Sequence, residues 1–179
     1  MFTISSKVVH PLHGLGTVEA IETQTILGKE TRFWLIFFPE LGLRMMVNTR
    51  VSGHAEKLRQ VIHKDTVDEL FDYLQQSQGE GPARAAWRMR INLERLKSGD
   101  VFQVCDVIKN LVSVSERVRK FSPKEKTLLD QAVATLASEL AFVEGCSIEE
   151  MKERLMRTAK GLEKKPRSRA RAAASVAAS

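Results

Sequence analysis

Between residues 83 and 97 the chain reads ARAAWRMRINLERLK, the segment with the clearest chemical pattern. At about 100° per residue, Ala86, Met89, Leu93 and Leu96 fall within one arc, the expected core face of a helix. Trp87 falls outside that arc, among Arg84, Arg88, Ile91 and Arg95. Guanidinium groups neutralise phosphate, and a flat apolar ring can wedge against a base step, so the pattern suits a nucleic-acid surface. The same spacing also fits a second packing face, with Trp87 and Ile91 set against another helix. Exposure of Trp87 separates the two readings.

Other chemistry is sparse. His10 and His13 have an H-x-x-H spacing, but no cysteine or carboxylate pattern accompanies them. A turn or core role is the default for both, and no metal site is expected. The sequence has neither GxxxxGK[ST] nor GxGxxG, and Gly14-Leu15-Gly16 reads as a strand-connecting turn. Cys105 follows an apolar helical stripe and reads as a small core residue. No nucleophile signature is present. The chain is expected to be no enzyme and to take no cofactor or small-molecule ligand.

The elements that would position Trp87 and its arginines follow from composition and period. The 179 residues carry a formal charge of +6, unevenly spread. Residues 1–78 are net −1, 79–126 net +5, 127–163 net −3 and 164–179 net +5. A near-neutral first part and a basic block point to a protein partner for one and a polyanion for the other. No run of about 18 apolar residues exists, so no membrane helix is expected. The start, MFTISSKVVHP, lacks the apolar stretch of a secretory signal. Two distant cysteines, Cys105 and Cys146, fit a reducing cytoplasm.

The first part reads as strands: KVVH (7–10), TVEAI (17–21), a hairpin turn at Gly28, the apolar run FWLIFF (33–38), LRMMV (43–47) and LRQVI (58–62). In TVEAI, Val18 and Ala20 share one face, and Glu19 and Ile21 the other. FWLIFF reads as a continuously buried strand. A small, strongly bent sheet or an SH3-like barrel is expected over residues 1–62. From 63 the period is helical. Thr66 and Glu69 form a capping box before Val67, Leu70, Phe71 and Leu74. Ser98-Gly99 ends the arginine-rich helix, and Asp100 with Gln103 caps the next, striped by Val104, Ile108 and Leu111. Ser122-Pro123 opens a helix lined by Leu129, Val133, Leu136 and Leu140. Ser147 and Glu150 cap a last one, where Met151 and Leu155 pack. The expected class is α+β: a β module, a compact helical bundle over 63–163, and a basic, disordered tail over 164–179.

Two sets of motifs carry a family resemblance. In the first module they are VVHPLHGLGTVEAIE (8–22) and LRMMV (43–47) after an FF-containing strand. In the second they are INLERLKSGDVFQVCDVIKNL (91–111) and SPKEKTLLDQAVATLASELA (122–141). Over most of residues 2–158 the chain resembles the CarD/CdnL family of bacterial transcription regulators. The resemblance implies a Tudor-like module that binds the RNA polymerase β subunit. It also implies a helical domain that contacts promoter DNA beside the −10 element, largely without sequence preference, and stabilises the open complex. The protein would then be a cytoplasmic, nucleoid-associated monomer when free.

Carried over by position, the polymerase-facing strand is 43–47, with Arg44, Met45, Met46 and Val47. Arg44 and Met46 match positions where family members place partner-contacting side chains. Gln24 stands where some members carry arginine, and Asn48 where proline is common. The family's wedging tryptophan opens its helix as W-x-x-R-x-[RK]. Registered on NLERLKSGDV, that position is Ala85, and Trp87 lies about 200° around the helix from it. Arg88, Arg90 and Lys126 match basic positions of the family. The expected DNA-contacting set is Arg84, Trp87, Arg88, Arg90 and Lys126, with Trp87 as the wedge. The rival reading is a protein–protein adaptor that uses the β module alone.

Overall fold

The computed structural model describes residues 2–49, 57–79, 81, 84–117 and 121–162. The basic tail expected from 164 lies outside the described residues.

Five described strands form one antiparallel sheet: β1 Lys7–His10, β2 Gly14–Ile26, β3 Lys29–Phe38, β4 Leu43–Asn48 and β5 Arg59–Gln60. Their order is β4-β3-β2-β1-β5, so β4 and β5 are edges and the sheet is open rather than a closed barrel. The strand expected over 58–62 shrinks to two residues. The β2–β3 turn sits at Leu27-Gly28, with φ of +50° and +75°. Gly28 accepts that conformation without cost; Leu27 does not.

The face pattern of β2 departs from simple alternation. Val18 pairs with Ile36, but Ala20 pairs with Leu35 and Ile21 with Trp34. Glu19 is the extra residue of a bulge. One added residue flips parity, so Ala20 leaves the face of Val18 and Ile21 joins it. The alternation expected for 17–21 is therefore wrong after Glu19. FWLIFF is also not buried throughout. Trp34, Ile36 and Phe38 enter the core with Val8, Val18 and Val47, while Phe33, Leu35 and Phe37 stay partly exposed on the other face.

The helices are α1 Lys64–Gln76, α2 Ala85–Ser98, α3 Val101–Arg117, α4 Pro123–Glu144 and α5 Ile148–Ala159. The apolar stripes expected for α1, α3, α4 and α5 are buried. Ser122/Glu125 and Ser147/Glu150 form capping boxes, and Gly99 closes α2 in the left-handed conformation. Asp100 Oδ1 accepts from the amides of Phe102 and Gln103, as the spacing predicted. The Thr66/Glu69 box is not used: α1 starts earlier, with His63 as its N-cap and no side-chain cap bond. Cys105 is fully buried, which pushes its thiol pKa far up and leaves it an inert core group. No described helix is long and apolar enough to cross a membrane.

The β module docks on the middle of α4. The amide of Leu15 donates to Ser138 Oγ at 3.0 Å, and Gln131 Nε2 donates to the Leu12 carbonyl at 3.2 Å. A side chain at Gly14 would sit 2.5 Å from Ser138 Oγ, so this approach requires glycine. His10 and His13 stack at 4.4 Å beside the junction, both against Phe38.

Candidate functional site

α2 lies on the bundle along Arg88, Asn92 and Leu96, spaced four residues apart. Its inner face is rotated by roughly 80° from the arc of apolar residues. Met89 and Leu93 remain half-buried, while Ala86 is exposed, against expectation. The reason is polar. Asn92 Nδ2 donates to Asn110 Oδ1 at 2.9 Å, and Asn110 Nδ2 donates on to the Gly79 carbonyl. Arg88 donates from Nε at 2.9 Å and from Nη2 at 2.6 Å to Glu125 Oε1. Buried polar side chains with complementary partners replace the apolar face that hydrophobicity alone selects.

Trp87 lies on the opposite side and is 62% exposed, as its position off the core arc required. Arg84 and Arg90 are exposed one turn before and after it. Arg90 Nε pairs with Glu94 at 3.1 Å, both side chains largely in solvent. Lys124 and Lys126 are exposed beside Glu125 at the start of α4. Of the expected DNA-contacting residues, the structure thus exposes Arg84, Trp87, Arg90 and Lys126. It buries Arg88, only 7% exposed, with its charge already met by Glu125. Arg88 is corrected from a phosphate contact to an internal group. Sequence reasoning did not single out Glu125: its pairing with Arg88 carries no local signal.

The second surface is the outer face and free edge of the sheet. Among the described residues β4 has β3 on one side and no strand on the other. Arg44 and Met46 point outward with Phe37 and Leu35, their register partners. Arg44 bonds Glu19 at 2.8 Å and lies 4.6 Å from the Phe37 ring centre. Gln24 reaches the Met46 sulfur at 4.0 Å, which gathers the expected residues of β2 and β4 on one face. Met45 and Val47 point inward, and Val47 is buried. The Val47 side chain is closed in the core and that of Met45 packs partly against it, so the edge presents chiefly their main chain.

Two comparisons address the identity of this arrangement. Residues 2–62 match the CarD-like/TRCF RID domain, and residues 69–156 match the CarD C-terminal domain. The chain belongs to the CarD family. The candidate transcription factor YdeB of Bacillus subtilis (strain 168) is 25% identical over 156 residues, covering 85% of this chain and 98% of that protein. The CarD-type domains, with a relative that bears the name of a transcription factor, support a transcription regulator. In this CarD-family chain the first matched segment ends at Ile62, between β5 and α1, and the second takes in α2 with Trp87.

Proposed function

We propose that this protein binds the RNA polymerase β subunit through β4 and contacts promoter DNA with the exposed side of α2, so stabilising the open complex. The observation that carries the reading is the exposure of Trp87, 62% free on a helix that also exposes Arg84 and Arg90. A flat apolar ring exposed beside arginines is the kind of group that a wedge at a base step needs. In this reading it props the edge of the melted segment, while Arg84, Arg90 and Lys126 rest on phosphates. No α2 or α4 side chain set offers the paired Asn, Gln and Arg groups that read bases, so binding is largely indifferent to sequence. The β4 edge adds a strand of the partner through main-chain bonds, and Arg44, Met46 and Gln24 supply side-chain contacts. Its place of action is the bacterial nucleoid.

The test is the lifetime of open complexes on several promoters, with and without the protein. Longer lifetimes that require both β4 and Trp87 support the reading. Unchanged lifetimes, with the β lobe still retained on the protein, would leave the adaptor reading in its place.

A further inference from the structure

The first turn of α2 has little apolar contact to hold it; the half-buried Met89 and the buried Asn92 come only in the second. Arg84 caps the helix without a side-chain bond, and the one fully buried apolar residue of α2, Leu96, sits at its far end. What fastens the beginning is Arg88. Its two nitrogens converge on Glu125 Oε1, and the other oxygen of Glu125 accepts from the amide of Ser122 at 3.4 Å. The Glu125 amide in turn donates to Ser122 Oγ. One carboxylate therefore closes the N-terminus of α4 and grips α2 at once. Trp87 precedes Arg88, and Lys126 follows Glu125, so this grip brings the exposed ring and the lysines to one end of the bundle.

We propose that Arg88 is a positioning residue: its ion pair with Glu125 sets the roll and height of α2 and thereby fixes the direction of Trp87 at the end of the bundle that also carries Lys124 and Lys126. This rests on the DNA-contacting reading of Trp87, but the geometry can be examined without DNA. An arginine held by two bonds on a desolvated carboxylate keeps one orientation, which a lone apolar contact would not impose.

Positioning and phosphate contact lead to opposite results. If Arg88 served phosphate, Glu125→Gln would release a cation and leave DNA affinity equal or higher. If it positions, Glu125→Gln loosens the start of α2 and lowers affinity, although the protein has become more positive. Arg88→Lys keeps the charge and the α4 cap but loses the forked geometry; a phosphate contact tolerates that change, a positioning pair does not.

The experiment has two arms on the full chain. Amide hydrogen exchange in the free protein should quicken about tenfold at residues 88–91 in both variants, with α3 unchanged. Binding to a fluorescein-labelled duplex with a short mismatched bubble should weaken about fivefold or more in both. Unchanged exchange at 88–91 in Arg88→Lys, with DNA binding kept, would overturn the proposal. So would tighter DNA binding by Glu125→Gln. If the wild type does not bind the duplex at all, the DNA reading fails, and the exchange arm still decides whether the pair holds α2.

Discussion

Glu139 of α4 receives Arg59 from the last strand of the sheet, with Nη2 2.6 Å from Oε2 and Nη1 on Oε1. The same carboxylate accepts from the Ile62 amide at 2.9 Å, and Arg59 Nε donates to the Gly99 carbonyl. Glu139 is 1% exposed. One acid thus ties the β module, the start of the bundle and the α2–α3 turn together. Arg59→Met should cost about 3 kcal/mol, because it strands a buried carboxylate. Adding Glu139→Gln should restore part of that loss, since no orphan charge remains. Urea unfolding of the two variants checks this; strictly additive losses would show that the pair is not coupled.

Trp87→Ala should melt close to the wild type. A packed tryptophan costs about 3–5 kcal/mol on truncation, and this ring is mostly in water. The variant should still be retained by the β lobe, yet lose most of its effect on open-complex lifetime, with Trp87→Phe intermediate. A large fall in melting temperature with promoter opening intact would make the ring a packing group.

Met46→Glu should abolish retention of the β lobe with little loss of stability. Met46 is outward on the edge strand beside Leu35, so a carboxylate there is tolerated in the free protein but desolvated in an interface. Val47→Glu should instead unfold the module, since Val47 is core. Pull-down beside circular dichroism separates the two; wild-type retention by Met46→Glu would remove β4 from the interface.

Stability should weaken in mild acid through His13. Burial lowers its pKa below the ordinary value of 6.5. The unfolded chain therefore takes up this proton at a higher pH than the folded one. The contribution is complete above about pH 6.5 and is lost as the pH falls below it. Glu40 and Asp130 line the same cleft, so the comparison must be with a variant. The drop in melting temperature from about pH 7.5 to 5.5 should be smaller in His13→Gln than in the wild type. Equal drops would show that His13 takes no part.

Capping chemistry and apolar period made most helices legible before any coordinates. Ser122, Ser147, Gly99 and Asp100 each act where the sequence put them. Two of the failures share a cause. Bulge parity at Glu19 and the inward turn of Arg88 depend on partners distant in sequence, whereas the Thr66 box goes unused because α1 already starts at Lys64. Hydrophobic period cannot see that Glu125 waits for Arg88, and it ranks Ala86 above a buried arginine. Trp87 was legible because both the apolar arc and the true inner face leave it outside. The outward direction of Arg44 and Met46 agrees with what the resemblance implies, but the inward direction of Met45 and Val47 needed the register against Ile36 and Trp34.

Burial of Arg88 also changes what a polyanion would meet. Formal charge gives residues 79–126 a net +5, but Arg88 is spent on Glu125 and Arg90 is shared with Glu94. Of the proposed phosphate contacts, Arg84, Arg90 and Lys126 stay exposed, and Glu94 stands 3.1 Å from Arg90. Each phosphate neutralised frees close to one condensed counterion, so three contacts give log K against log salt a slope of about −2.7, where five would give about −4.5. So small a release of ions holds a duplex only weakly. This end of the molecule is suited to DNA that another body has already brought within reach.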